Sequence, residues 1–359
     1  MTTTEETDRA PSQTPRNLSS EMVDWGFRLL GGRAPVNDTE FASFQALPDI
    51  DAMRRAFTNL PEFHAFFGAV LTGRPSWTMP LFLLRPPQDP ALPWRFTPPD
   101  LERPVSQFCT AAQFQDPAFL EVIQAMALQP RQSRAHWEQA WIVSLLATEQ
   151  LLAPGKSGVW FGAGRERIAS LLASRGVAVT GTEDPRTAVS AVSPLTAEEA
   201  EIRRLNAFHP EIVHIQDFDT LVRWATSPEE ATGRSWGGFD FCWSVGEAGR
   251  LGSIAAALDF IEASLAVLRP GGLAMHTFAL NLSSDIATWE LPDLVVLRRR
   301  DIEALAARLV AGGHALLPLN THPGHDPADE AETPTPGAHR QRHGFAVVTS
   351  FGLAIRKAG

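Results

Sequence analysis

Two glycines and an acid are spaced in this chain as they would be around a ligand that contains a ribose. Gly162 and Gly164 follow directly on an apolar run at residues 159–161, and Glu183 comes about 20 residues later. Glycines let the backbone approach a ligand closely, and a helix that begins beside them offers free N–H groups. An acid at that distance can accept hydrogen bonds from two ribose hydroxyls. The order of these residues therefore predicts a ribose-binding site.

Glu166 limits what that ligand can be. It stands close to the position at which a dinucleotide-binding turn has its third glycine. An acid beside a helix N-terminus repels a pyrophosphate, which disfavours a nicotinamide-dependent oxidoreductase. A ligand with a ribose, a cationic head and no phosphate fits better, and S-adenosylmethionine is such a ligand. An ordinary strand–helix–strand unit with a glycine turn is the alternative interpretation.

The elements that must position these residues alternate between strand and helix. Around the turn, the sequence predicts a strand at residues 159–161, a helix at 167–174 and a second strand at 177–182. Further strands are predicted at residues 212–215, 239–244, 273–278, 315–319 and 345–355, and helices at about 133–152, 253–268 and 301–310, with shorter ones before 206 and at 221–225. This alternation predicts an α/β fold, a Rossmann-like sheet of seven mainly parallel strands with helices on both faces.

Ligands of such sheets bind in the crevice at the carboxyl ends of the parallel strands. The predicted strands end beside Gly162, Glu183, Asp217 and Ser244. These four residues are therefore candidates for contacts with a ligand.

Three segments of the chain differ in composition. Residues 1–18 are rich in Thr, Ser, Glu and Pro and are predicted to be a disordered tail. Residues 19–130 are predicted to form an N-terminal, mainly helical lobe with a proline-rich connector, in which residues 79–84 could form an edge strand despite Pro80. Residues 131–359 hold the alternating elements and are predicted to be the ligand-binding domain.

The composition also narrows the class of protein. A chain of 359 residues with 44% hydrophobic and 20% charged residues is typical of a globular protein. The formal net charge of -10 argues against a general nucleic-acid surface. No apolar run approaches the length of a transmembrane helix, and the N-terminus lacks the apolar segment of a signal peptide, so a cytoplasmic location is expected. The two cysteines cannot form a disulfide scaffold.

The series of motifs resembles that of class I S-adenosylmethionine-dependent methyltransferases over about residues 130–357. Residues 161–164 resemble the first motif of that family, 181–183 the second with its ribose-binding acid, and 216–218 the segment that contacts adenine. Residues 239–244 resemble the fourth motif, and 268–272 the turn that follows catalysis. The resemblance implies S-adenosylmethionine as cofactor, bound by Phe161, Gly162, Ala163, Gly164, Glu183, Asp217, Phe218 and Ser244.

Four segments resemble a narrower group, the bacterial methyltransferases associated with the assembly of sugars and cell-surface glycans. These segments are residues 107–113, 134–138, 251–253 and 350–353. The resemblance implies O-methylation of a sugar or glycan-related small molecule. It also makes a second copy of the chain, or a glycan-assembly protein, a candidate partner.

Two departures from that group affect the expected catalytic residues. The group has Glu-His before Leu-Gly-Ser, where this chain has Gly249 and Arg250, and it has His-Thr-Thr-Glu where residues 276–279 read His-Thr-Phe-Ala. His276 is then the best candidate for the base by position, and Glu247 and Arg250 are candidates for positioning the acceptor. The alternative is a catalytically degenerate protein that binds the cofactor, or scaffolds a partner, without transferring a methyl group.

A late loop is rich in residues that could bind a metal. His322, His325, Asp326, His339 and His343 lie within residues 320–344, but without the fixed spacing of a metal site. No metal is predicted, and a lid over the acceptor is the alternative role of the loop.

Overall fold

The computed structural model describes residues 18–31, 33–60, 63, 80–182, 196–225, 238–330, 339–343 and 346–359. The chain divides into two compact units, Met1–Thr78 and Met79–Gly359. The predicted tail lies almost wholly outside the described residues, and so does Glu183. The division falls well before residue 130, because two short strands that precede residue 130 pair into the main sheet.

The described part of the first unit is helical. It contains α1 (Ser20–Gly26), which continues into a short π-helix (Phe27–Gly31), α2 (Asp38–Gln45) and α3 (Ile50–Thr58). Asn37 and Asp49 begin α2 and α3, since their side chains accept backbone N–H groups of the first turns. Its core is a trio of aromatic rings with centroids 4.6–4.8 Å apart, formed by Phe27, Phe44 and Phe57.

The second unit is built from thirteen strands and eight α-helices among its described residues. The strands are β1 (Trp94–Arg95), β2 (Ser106–Phe108), β3 (Ser157–Phe161), β4 (Ala178–Gly181), β5 (Val222–Trp224), β6 (Phe239–Val245), β7 (Leu268–Asn281), β8 (Glu290–Leu291), β9 (Leu294–Val295), β10 (Ala315–Leu316), β11 (Leu319–Asn320), β12 (Gln341–His343) and β13 (Ala346–Arg356). The helices are α4 (Pro117–Ala125), α5 (Arg134–Thr148), α6 (Ile168–Ser174), α7 (Ala197–Ala207), α8 (Ile215–Leu221), α9 (Ile254–Ala263), α10 (Arg299–Ala311) and α11 (Pro327–Glu330).

The main sheet has a parallel half and a mixed half. Its order is β1-β11-β2-β13-β7-β6-β3-β4-β5, with β10 and β12 also paired to β13. The five strands β7, β6, β3, β4 and β5 run parallel to one another, and β13 lies antiparallel to β7. This is the predicted Rossmann-like α/β arrangement, in which the last strand of the chain, β13, is antiparallel to β7. The described sheet has 11 strands and not the predicted seven.

In two segments the predicted type or order of the elements was wrong. Residues 212–225 were expected to give a strand and then a helix, but the structure has the helix α8 first and the strand β5 after it. The side chain of His214 accepts the N–H of Gln216 and starts the helix, while Val222 and Trp224 alternate inward around an exposed Arg223. The expected edge strand at 79–84 is a 3-10 helix, Leu81–Leu84, with Pro80 at its N-cap.

Tryptophan rings fill the space between the parallel strands and α5. Trp160 of β3 stacks on Trp243 of β6 with a centroid distance of 5.9 Å, and both rings are buried. Trp141 of α5 packs so closely on β13 that a Cβ at Gly352 would lie 2.5 Å from its ring. Trp137 of α5 is also fully buried. Among the described residues, no helix is both long enough and apolar enough to cross a membrane.

Candidate functional site

The glycine turn lies at the carboxyl edge of the sheet, between the ends of β3 and β4. Ala163 donates its N–H to the carbonyl oxygen of Thr182 over 2.7 Å, which ties the turn to the segment that leads to Glu183. Gly162 has a φ of +68°, and a Cβ there would lie 2.3 Å from Cγ of Glu247. Only glycine combines this backbone conformation with so close a neighbour.

Glu247 therefore covers the turn at Gly162. It is the first residue of a 3-10 helix, Glu247–Arg250, that follows β6 through Gly246, whose φ is +70°. Its carboxylate is buried, and Oε1 lies 3.4 Å from Nη1 of Arg250, whose side chain is 72% exposed. The structure thus brings Glu247 and Arg250 together beside Gly162.

Glu166 lies at the other end of the turn. A Cβ at Gly164 would be 2.8 Å from Oε2 of Glu166, so the carboxylate lies against the turn. Burial raises the pKa of Glu166, and the backbone amides of Glu166 and Gly164 oppose the rise because they stabilise the charged form. The negative charge of Glu138 raises this pKa further, and the positive charge of Arg250 lowers it. Oε2 is buried and has no hydrogen-bond partner among the described residues.

A third acid, Glu138, reaches this edge of the sheet from α5. It is 7% exposed, and its Oε1 accepts a hydrogen bond from the hydroxyl of Ser350. Arg134 donates from Nε to the same hydroxyl over 2.8 Å, and its Nη2 lies 3.8 Å from Oε1 of Glu138. Burial raises the pKa of Glu138, and the Arg134 charge and the Ser350 hydrogen bond oppose the rise.

Three of the segments that resemble the glycan-associated group meet at this point. Residues 134–138 and 350–353 are joined by the Arg134–Ser350–Glu138 contacts. Residues 107–113 join them because Cys109 donates its N–H to the carbonyl oxygen of Ser350 over 2.9 Å. Gln113 accepts the indole N–H of Trp137 over 2.8 Å. The sequence motifs indicated these segments but predicted no role for Ser350 or Arg134. The contacts of Ser350 with Arg134 and Glu138 join residues more than 200 positions apart, and no local pattern indicates them.

His276 does not lie where the sequence prediction placed it. The strand was expected to end at residue 278, but β7 continues to Asn281, so His276 is inside the strand and fully buried. Ser264 donates to the carbonyl oxygen of Ile261 and must therefore accept from His276 Nε2 over 2.8 Å. Nδ1 then accepts from Ser244 over 2.8 Å.

These contacts describe a structural histidine. Burial lowers the pKa of His276 to about 3, so its ring is neutral and both nitrogens are already bonded. This corrects the expectation that His276 faces the acceptor. It also gives Ser244 a different role from the predicted cofactor contact, because its buried hydroxyl is hydrogen-bonded to the histidine.

Three other predicted cofactor contacts need a different account. Asp217 and Phe218 lie in α8, before β5, and not after a strand end. Phe218 is fully buried against Phe208, with ring centroids 5.3 Å apart, and is a core residue. Phe161 ends β3, but its buried ring packs edge-on against Phe260 of α9. Only its backbone is available to the turn.

The late loop is anchored through Asp329. Its buried carboxylate accepts the N–H of Ala111 over 2.8 Å and lies 3.2 Å from Nε2 of His339 and 3.6 Å from Arg340. His322 instead contacts Phe96, with ring centroids 4.8 Å apart. Within the described part of the chain, the histidines, cysteines and acids form no group of three or more that could hold a metal.

No protein-family model matches this chain, and no curated protein matches it. Among solved structures it is similar to the [4+2]-cyclase SpnF, with 17% identity over 62% of this chain and 83% of that chain and a TM-score of 0.38. A putative sarcosine dimethylglycine methyltransferase from Galdieria sulphuraria has 13% identity over 68% of this chain and 99% of that chain, with a TM-score of 0.37.

A third solved structure is magnesium protoporphyrin IX methyltransferase from Synechocystis PCC 6803 with bound SAM. It has 11% identity over 67% of this chain and 91% of that chain, with a TM-score of 0.36. At these values the likenesses are distant, and the fold assignment rests on the strand order of the sheet itself.

Proposed function

We propose that this chain is an S-adenosylmethionine-dependent methyltransferase whose cofactor binds over the glycine turn at residues 162–166. The observation that carries the proposal is the set of acids around that turn: Glu247 packs on Gly162, Glu166 packs on Gly164, and the charge of Glu138 acts on Glu166. Such surroundings attract a cation and repel a pyrophosphate. The order of the motifs along the chain supports the same cofactor.

The residues present fit this group. Gly162 has a positive φ, and the carboxylates of Glu247 and Glu166 lie where side chains at residues 162 and 164 would be, so acids that suit a cationic ligand line the turn. Bound there, S-adenosylmethionine would supply a methyl group on a positively charged sulfur. We propose that Gly162, Ala163 and Gly164 hold it through their backbone and that Glu183 binds its ribose.

A hydroxyl acceptor must lose a proton when it is methylated, and Glu138 is the residue we propose to receive it. Ser350 and Arg134 hold Oε1, and Oε2 makes no hydrogen bond to any other described residue. Burial raises the pKa of Glu138, which makes the carboxylate a stronger base than an exposed acid. Glu247, which packs on Gly162, and Arg250 would position the acceptor.

We further propose a sugar or glycan-related hydroxyl as the acceptor. The support is that three segments resembling the glycan-associated group meet around Glu138. A panel of sugar nucleotides and glycans with radiolabelled S-adenosylmethionine tests this proposal. Glu138→Gln should lower turnover at least about 100-fold, the lower end of general-base effects, and should still bind cofactor.

A second candidate function is cofactor binding without methyl transfer, in a scaffold for glycan assembly. The observation that favours it is the position of His276, which is fully buried with both ring nitrogens hydrogen-bonded to serines. The two functions differ in one result. A methyltransferase should lose turnover on Glu138→Gln, whereas a scaffold should bind S-adenosylmethionine and transfer no methyl group to any acceptor in the panel.

A further inference from the structure

Two aromatic side chains at the outermost strand of the main sheet are exposed and stacked on each other. Trp94 of β1 is 38% exposed, and Phe96, which follows β1, is 36% exposed. Their ring centroids lie 5.8 Å apart, and the imidazole of His322 lies 4.8 Å from the ring of Phe96. We call Trp94, Phe96 and His322 the aromatic platform. Single exposed apolar side chains are common on protein surfaces, but a stacked pair presents a larger apolar face.

Hydrogen bonds hold the aromatic platform in place. Trp94 donates its indole N–H to the hydroxyl of Thr321 over 2.9 Å. The buried side chain of Asn320 donates to the carbonyl oxygen of Thr97 over 2.9 Å and accepts the N–H of His322 over 3.2 Å. These bonds tie the segment after β1 to the segment after β11. The platform is therefore preformed, and a ligand that stacks on it has little ordering entropy to offset.

The aromatic platform lies at the same edge of the sheet as the glycine turn. β1 is parallel to β11 and β11 to β2, whereas β13 is antiparallel both to β2 and to β7. The carboxyl ends of β1 and β7 therefore lie at one edge. Ser350, which holds Glu138, is opposite Ala279 near that end of β7. β1 is three strands away from β13, a distance of about 14 Å at the usual strand spacing.

The polar groups beside the rings indicate a sugar as the ligand. A pyranose has a face of C–H groups that packs on an aromatic ring and a rim of hydroxyls that needs hydrogen-bonding partners. Gly324 donates its N–H to Nδ1 of His322 over 3.1 Å, so Nε2 carries the proton of the neutral ring and is a donor beside Phe96. The exposed His325 adds a second imidazole, with its centroid 6.0 Å from that of His322.

Two other kinds of ligand fit the aromatic platform less well. A nucleobase stacks on the same rings, but the formal net charge of -10 gives no attraction for a phosphate backbone. A stable protein interface buries about 800 Å² on each partner, which is more than two partly exposed rings provide.

We propose that the aromatic platform binds one sugar ring of an oligosaccharide while another sugar of the same chain reaches Glu138. This rests on the proposed function, because it takes Glu138 as the place of methyl transfer. It makes the acceptor an oligosaccharide or a polysaccharide and not a monosaccharide, since one sugar ring cannot span the distance of about 14 Å between the two places.

The test measures glycan binding without S-adenosylmethionine. The protein is applied to a printed array of natural oligosaccharides and polysaccharides, and the oligosaccharide that binds most tightly is titrated by calorimetry beside its monosaccharide. Trp94→Ala and Phe96→Ala each remove one ring, and Trp94→Phe keeps an aromatic face at residue 94. Trp25→Ala is the matched control, because it removes a tryptophan that is 45% exposed in the first unit.

The wild type should bind the oligosaccharide at least about 10-fold more tightly than the monosaccharide, because the longer ligand also reaches Glu138. Trp94→Ala and Phe96→Ala should each lose about 10-fold or more in affinity for the oligosaccharide, the scale of removing an aromatic anchor from an interface. Trp94→Phe and Trp25→Ala should stay within about 3-fold of the wild type. The result for Trp94→Phe separates the loss of a ring from a loss of folding at this strand.

Three results would overturn the proposal. The first is that the wild type binds no glycan of the array, and the second is that both alanine variants keep the affinity of the wild type. The third is binding of a single-stranded DNA oligonucleotide that is lost in Trp94→Ala while no glycan binds, which would assign the platform to nucleobases.

A separate titration with S-adenosylhomocysteine distinguishes a failure of this inference from a failure of the proposed function. If S-adenosylhomocysteine binds and no glycan does, the aromatic platform alone is contradicted. If a glycan binds through Trp94 and Phe96 and S-adenosylhomocysteine does not bind, the sugar-binding platform is supported and the proposed methyl transfer is contradicted.

Discussion

Glu247 packs directly on Gly162, so that a Cβ at residue 162 would lie 2.3 Å from Cγ of the glutamate. Gly162→Ala should therefore destabilise the protein by about 2–4 kcal/mol, because strain from the φ of +68° adds to the clash. It should also abolish measurable binding of S-adenosylhomocysteine. Urea unfolding and calorimetry measure the two effects.

Gly155→Ala is the matched control for that variant. Gly155 also has a positive φ, +83°, but nothing lies within 4 Å of its Cβ position. It should cost only the backbone strain, about 1 kcal/mol, and should leave cofactor binding intact. If the two variants are equally stable, the contact between Glu247 and Gly162 does not constrain the turn.

The contacts of His276 predict a loss of stability and not of binding when the side chain is removed. His276→Ala leaves the hydroxyls of Ser244 and Ser264 without their partner and opens a cavity, which should cost about 2–4 kcal/mol. The affinity for S-adenosylhomocysteine should remain within about 3-fold of the wild type. A large loss of affinity at unchanged stability would contradict the structural role.

The same residue predicts a dependence on pH. The pKa of His276 is about 3 in the fold and about 6.5 in an unfolded chain, so folding favours the neutral ring. Its contribution is fully present above pH 6.5 and is lost as the pH falls from about 6.5 towards 3. The gap in unfolding free energy between wild type and His276→Ala should therefore shrink by about 1–2 kcal/mol between pH 7.5 and pH 5. If this difference in unfolding free energy does not change with pH, the pKa of His276 is the same in the folded and the unfolded protein.

Arg134 is predicted to keep Glu138 charged inside the protein. Arg134→Gln leaves a buried carboxylate without its cation, and the unfolding free energy should fall by about 3 kcal/mol at pH 8. The pKa of Glu138, already raised by burial, should rise further. Because the destabilisation applies only to the charged form, the variant should recover stability relative to the wild type as the pH falls through that raised pKa.

The control for this prediction is the double variant Arg134→Gln, Glu138→Gln. The double variant has no buried charge at this point. The difference in unfolding free energy between it and Glu138→Gln should therefore be the same at pH 8 and pH 5, whereas the difference between Arg134→Gln and the wild type should shrink. Recovery at low pH in both backgrounds would assign the effect to another group.

Glu183 carries a prediction that rests on the sequence. Glu183→Ala should weaken the binding of S-adenosylhomocysteine by about 1–3 kcal/mol, the scale of hydrogen bonds to a charged group. Calorimetry measures this loss, with Glu121→Ala as a control on an exposed helix position. Unchanged affinity in Glu183→Ala would remove the ribose assignment.

The central strands could be predicted because their apolar runs are bounded by glycine turns. Those around β3, β4, β6 and β7 were found near their predicted positions. The segment at residues 212–225 was assigned in the wrong order, since a strand of three residues and a helix of seven are too short for their periodicity to decide. The cap at His214 became recognisable only with the structure.

The candidate site was harder to predict than the fold. The contact of Glu247 with Gly162 follows from a turn that the sequence already indicated. The contact of Ser350 with Glu138 joins residues 212 positions apart, and no local pattern reports it. His276 was misplaced because no sequence pattern marks the end of its strand or the two serines that bond its ring.

The most direct test of the account is a calorimetric titration of the wild-type protein with S-adenosylhomocysteine and, separately, with NADH. The acids at the glycine turn predict saturable binding of S-adenosylhomocysteine at one site per chain and no binding of NADH, whose pyrophosphate would face Glu166. Binding of NADH without S-adenosylhomocysteine would contradict the proposed function and leave only the fold assignment standing.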